Sequence, residues 1–160
     1  MKPYAANTDV APEKTRAEIE RIVTRYGATR FMSGWEENGA AVMFEMRGRR
    51  VRFSLSLPER TDPRFSQRRS GRPAPTTAGI TRAYEQAVRS LWRALFLVIK
   101  AKLEAVESGI AVFESEFLAH IVVPGTNQTF GEWAIPQIAE AYDRGLALPP
   151  LLGPATGGGS

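Results

Sequence analysis

The sequence predicts an α+β domain: a helix, a three-stranded antiparallel meander, a long helix, then a small C-terminal α/β extension. Three observations carry that expectation. Apolar residues recur at helical spacing over residues 12 to 26, alternate strictly between Ala28 and Leu57, and return to helical spacing from about Thr81 to Glu107. With 160 residues and 43% hydrophobic content, the chain is long enough for one cored domain and short for two. The expected layout is a flexible arm at 1–11, a single domain at 12–145, and a flexible tail at 146–160.

Pro12 suits the first turn of a helix, Ile19, Ile22, Val23 and Tyr26 share one face, and Gly27 is a natural stop. The runs "TRFMSGW", "AAVMFEM" and "RVRFSLSL" then read as strands. Asn38-Gly39 suggests a type I′ turn between the first two, and Gly48 a second hairpin. In the third strand Val51, Phe53, Leu55 and Leu57 point one way, while Arg50, Arg52, Ser54 and Ser56 point the other.

Pro58 ends that strand. Residues 58–78 have prolines, glycines and no hydrophobic period, which predicts a long mobile loop. In the long helix, Tyr84, Val88, Leu91, Leu95, Val98, Ile99 and Val106 form the expected core stripe. Arg82, Arg89, Arg93 and Lys100 align on the opposite side as a solvent-facing basic stripe. Trp92, Phe96 and Leu103 fall between the stripes and read as a second apolar seam, to be covered by the C-terminal segment or another subunit. Beyond Gly109, "AVFESEFLAHIVV" reads as a short helix running into a strand and "PGTNQ" as a turn. Thr129 and Glu132 match a capping box, and Pro136 suggests that the last helix starts later or kinks. The terminal "GGGS" reads as linker, native or appended.

Composition narrows the chemistry. No cysteine excludes disulfides and thiolate sites, and a single histidine cannot supply a multi-histidine metal set. No phosphate-binding loop, dinucleotide fingerprint or nucleophile elbow is present. His120 reads as a structural or surface residue, and Glu104, Glu107, Glu114 and Glu116 as solvated acids. The expectation is a protein without catalytic activity, cofactor or metal. No apolar run approaches the roughly 20 residues of a membrane span, and the N-terminus lacks a signal-peptide core, so a cytoplasmic location away from membranes is expected.

Charge is distributed unevenly. Arg47, Arg49, Arg50, Arg52, Arg60, Arg64, Arg68, Arg69 and Arg72 stand against Glu59 and Asp62, so residues 47–72 carry +7; the whole chain is +4, leaving the remainder at −3. Arginine's planar fork suits phosphates and stacks on bases. The candidate nucleic-acid contacts are Arg47, Arg50, Arg52, Arg64, Arg68, Arg69, Arg82, Arg89, Arg93 and Lys100, provided that strand, loop and helix converge on one surface. Phe65, alone in the arginine loop, offers either a base-stacking ring or an anchor for the loop.

The helix–meander–helix order is shared with double-stranded RNA binding domains, but these carry a basic cluster at the start of their second helix, where "AGITRAYEQAV" offers only Arg82. The segment "TRAYEQAVRSLWRALFLVIKAKLEAV" resembles the alanine- and arginine-rich helix of phage single-strand annealing recombinases, a topological likeness over residues 28 to 107. "AEIERIVTRYGATRFMSGW" with "RSLWRALFLVIKAKLEAVESGI" is similar to small uncharacterised phage and prophage proteins. The resemblance implies a phage context and supplies no activity; the arginines themselves, without base-reading features, point to a weakly sequence-specific nucleic-acid binder, with single-stranded DNA favoured and a homo-oligomer expected. The alternative is a phage factor that binds and inhibits a host defence complex.

Overall fold

The computed structural model describes residues 9–145. The arm and tail expected from the sequence lie largely outside the described residues. The order of elements is α1 (Pro12–Arg25), β1 (Arg30–Glu36), β2 (Gly39–Met46), β3 (Arg49–Ser56), α2 (Pro63–Ser66), α3 (Thr77–Glu107), α4 (Phe113–Phe117), a 3-10 turn at Leu118–His120, and α5 (Phe130–Arg144). The α+β architecture matches that expected from the hydrophobic periods.

Proline at the start and a left-handed Gly27 at the end bound α1. Ile19, Ile22 and Val23 are buried, together with Thr15, which occupies the same face. The Tyr26 hydroxyl donates to Glu104 Oε1 on α3, tying the C-terminal ends of α1 and α3 together. That hydrogen bond holds the phenol above its ordinary pKa, helped by burial and the negative charge.

The three strands form a meander in the order β1-β2-β3. Phe31 lies opposite Phe44, which lies opposite Val51, and this register puts Val42, Phe44, Val51 and Phe53 on the helix-covered face. The hairpin chemistry differs from the sequence expectation. Only Glu37 and Asn38 lie between the paired Glu36 and Gly39, and neither Asn38 nor Gly39 has a positive φ. The turn with two positive φ values is the second one, where Arg47 (φ 52°) and Gly48 (φ 72°) link Met46 to Arg49. Gly39 is required for another reason: a Cβ there would stand 2.1 Å from the carbonyl oxygen of Leu55 on β3.

The segment expected to be a mobile loop is shorter and partly structured. Asp62 caps the single turn of α2 by accepting from the Arg64 amide, and Phe65 is buried edge-on to Tyr84. Helix α3 begins at Thr77, four residues before the expected start, because the Thr76 hydroxyl caps it by accepting from the Gly79 amide. Its core side is Val88, Trp92, Leu95, Ile99 and Leu103. Trp92 is 3% exposed and Leu103 2%, so the proposed second seam is corrected: both belong to the monomer's own core, with Phe96 packed on its margin. Val98, expected in the core, is 45% exposed. The true stripe is rotated toward Trp92, where α1, β3 and α4 supply the cover.

Phe44, Phe53, Phe113 and Phe117 close the core in edge and stacked contacts, each fully buried aromatic adding roughly 2–3 kcal/mol of transfer free energy. The "HIVV" segment only brushes the sheet, through a bridge of Ile121 to Val51, while Val122 bridges to Thr129 at the start of α5. Helix α5 starts at Phe130 as its capping box dictates and runs through Pro136 without the expected later start. The missing amide forfeits the bond to the Glu132 carbonyl, which one well-capped first turn tolerates.

Candidate nucleic-acid interface

The basic residues divide into three places. At the β2–β3 turn, Arg47, Arg49 and Arg50 are exposed. Arg49 pairs with Glu114 and Arg50 with Glu45, each at 3.6 Å, while Arg47 lies over the Phe113 ring at 5.6 Å. Arg52, one register step along, is not available to a ligand. Its side chain is 12% exposed and bonded to Glu132 at the start of α5.

The second place is the seam between α1 and α3, which replaces the solvent-facing stripe expected for α3. Arg93 donates to Glu18 of α1 at 2.5 Å and lies over Phe96. Arg89 is half-buried and donates to Gln86. Arg82 and Lys100 remain exposed. Lys100 joins Arg21 and Arg25 around a cleft of about 500 Å³ floored by Ile22 and Phe96. Sequence reading missed Arg21 and Arg25, although their four-residue spacing on a helix was a usable signal.

The third place is the segment between β3 and α3. Phe65 and Tyr84 anchor it, and Arg60 stacks on Tyr84 at 4.7 Å. Arg64 is tied to Asp62 and lies over Phe65. Arg68 donates through Nε to the Arg72 carbonyl, which shapes the turn at Gly71 (φ 76°). Arg68, Arg69 and Arg72 are exposed, and among the described residues none of them forms an ion pair.

These places do not merge into the single surface that the sequence reading required. The turn at Arg47 and the loop beginning at Leu57 lie at opposite ends of β3, whose eight residues span about 25 Å. On α3, Arg82 and Tyr84 leave the axis about 160° apart, so the helix stripe and the loop also face different ways.

The acids and the histidine are similarly dispersed. Glu104 accepts from Tyr26, Glu114 pairs with Arg49 and Glu116 with Lys102. Among the described residues no three His, Asp or Glu side chains converge as a metal set. His120 stacks on Phe53 with ring centroids 4.0 Å apart. Burial, then the nearby Lys102 charge, lowers its pKa, opposed by its hydrogen bond to the Arg52 carbonyl.

No family model matches the chain, and no curated protein or solved structure is similar to it. Among the described residues no helix is long and apolar enough to cross a membrane.

Proposed function

We propose that this chain is a nucleic-acid binding module of phage or prophage type, weakly sequence-specific and directed to single-stranded DNA, with annealing as its specific form. One observation carries the reading: Arg68, Arg69 and Arg72 are exposed on an anchored loop without acidic partners, whereas Arg49, Arg50, Arg52 and Arg93 are paired within the chain. Phosphates are the natural counterions for guanidinium groups held in this way. Base-reading elements are absent from the loop, so affinity comes from the backbone and varies little with sequence.

Fluorescence anisotropy with labelled single-stranded and duplex DNA and RNA, across a salt series, tests the proposal. Replacing Arg68 and Arg69 by alanine is expected to weaken binding and to reduce the salt slope by up to about 2. Arg49→Ala with Arg50→Ala is expected to change it less. Absence of binding by the intact chain at low salt would reject the proposal.

A second reading, a phage factor that binds and inhibits a host defence complex, draws on α5. Trp133, Ile135, Ile138 and Tyr142 are exposed there, an apolar display suited to a protein partner. That reading requires negligible nucleic-acid affinity and recovery of one dominant host protein on the immobilised chain.

A further inference from the structure

The outward side of α3 is the wrong way round for a surface helix. Its charged residues are Arg82, Glu85, Arg89, Arg93, Lys100, Lys102, Glu104 and Glu107. At 100° per residue all of them lie beside the core stripe or on its α1 and α4 flanks. The remaining sector, about 150° wide and centred near Ala94, holds no charge from Ala83 to Ala105. Ala83, Val98 and Ala101 there are exposed, and Ile80, Ala87, Leu91, Ala94 and Ala105 are half-buried.

Within that sector the residues have a coiled-coil period. Leu91, Val98 and Ala105 recur every seventh position, and Ile80, Ala87, Ala94 and Ala101 take the second seam position, at alternating steps of four and three from Ala87 to Ala105; Tyr84, one heptad before Leu91, is covered by Phe65 and Arg60. Such a seam receives another helix by knobs-into-holes packing.

We infer that α3 pairs antiparallel with α3 of a second copy of this chain. Antiparallel seams place each residue of one set opposite a residue of the other. One register pairs Leu91 with Ala94 of the second copy, Val98 with Ala87, and Ala105 with Ile80. Every layer then sets a large residue on an alanine, and the two-fold axis passes between residues 92 and 93. A parallel pair would instead stack Leu91 on Leu91 and Ala94 on Ala94, alternately crowding and emptying the layers. The antiparallel choice also sets the helix dipoles in opposition. A face that complements itself in one register has the isologous form of a two-fold dimer. The seam is about 38 Å long, at the small end of specific interfaces, so association is expected at micromolar concentrations.

Sedimentation velocity over a concentration series up to hundreds of micromolar is the test, supported by crosslinking. The native chain is expected to become dimeric, and Ala94→Glu to remain monomeric with unchanged helical circular dichroism. Because the chain has no cysteine, Ala87→Cys and Val98→Cys chains can be mixed and treated with a short bis-thiol crosslinker. The mixed product is expected in excess over either self-product, since like positions lie about 16 Å apart in this register. A native chain that stays monomeric, a dimeric Ala94→Glu chain, or self-products equal to the mixed one would each overturn the inference. Were Ala94→Glu to unfold, the crosslinking ratio would still decide.

Discussion

Arg52 and Glu132 join the sheet to the last helix. The Arg52 guanidinium donates to Glu132 Oε1 at 2.5 Å, and the other carboxylate oxygen accepts from the Thr129 amide, completing the capping box. One side chain therefore caps α5 and fastens its start to β3. Glu132→Ala removes both roles and leaves a largely buried guanidinium, so a loss of about 2–3 kcal/mol is expected in urea unfolding. Glu132→Gln, which retains a capping acceptor, is expected to cost about half as much.

The placement of Trp92 in the core has a quantitative consequence. Trp92→Ala is expected to cost about 3–5 kcal/mol and, in this small domain, to abolish cooperative unfolding at physiological temperature. Trp92 Nε1 is buried without a hydrogen-bond partner. Trp92→Phe removes that orphan donor along with some volume, so its denaturation midpoint should lie much closer to that of the native chain.

Phe65 holds the arginine loop by its contact with Tyr84 rather than supporting the global core. Phe65→Ala is expected to accelerate tryptic cleavage at Arg68 and Arg69 several-fold while moving the thermal midpoint little, because local opening costs less than global unfolding. Equal shifts in both measurements would show that the loop unfolds only with the domain.

The two hairpin turns respond oppositely to substitution. Arg47 is the only non-glycine residue with positive φ among the described residues, and Arg47→Asn is expected to stabilise by about 0.5–1 kcal/mol. Gly39→Ala drives a methyl into the Leu55 carbonyl and is expected to destabilise by about 2 kcal/mol or more. Chemical denaturation of the two variants measures both signs.

His120 makes stability depend on pH. Its folded pKa is lowered, first by burial and then by Lys102, so the unfolded chain binds the proton more readily. The contribution is complete above the unfolded value of about 6.5 and is lost as pH falls through the lower folded value. Unfolding midpoints measured between neutral and mildly acidic pH should fall more for the native chain than for His120→Phe, which keeps the stack on Phe53 and cannot titrate.

The identity of the elements was determined by the sequence, because period and capping are local. The alternation from Ala28 to Leu57 required strands in a meander, Gly27 and Thr129–Glu132 marked helix ends, and Asn38 and Gly48 marked turns. What was not legible depended on neighbours distant in the chain. Whether Trp92 or Val98 faced the core was decided by which side of α3 received the sheet and α4, a choice of about 120° that a helix with large apolar residues on both sides leaves open. The same packing decided which arginines stayed available. Glu18, Glu114 and Glu132 lie far in sequence from Arg93, Arg49 and Arg52, and folding spends those arginines on pairs that composition cannot reveal. Arg68, Arg69 and Arg72, in a stretch with no acidic residue between Asp62 and Glu85, kept the exposure that their sequence implied. Hydrophobic period and turn chemistry act over a few residues, so the sequence alone determines them; ion pairing and facial burial are long-range, so only the tertiary structure decides them.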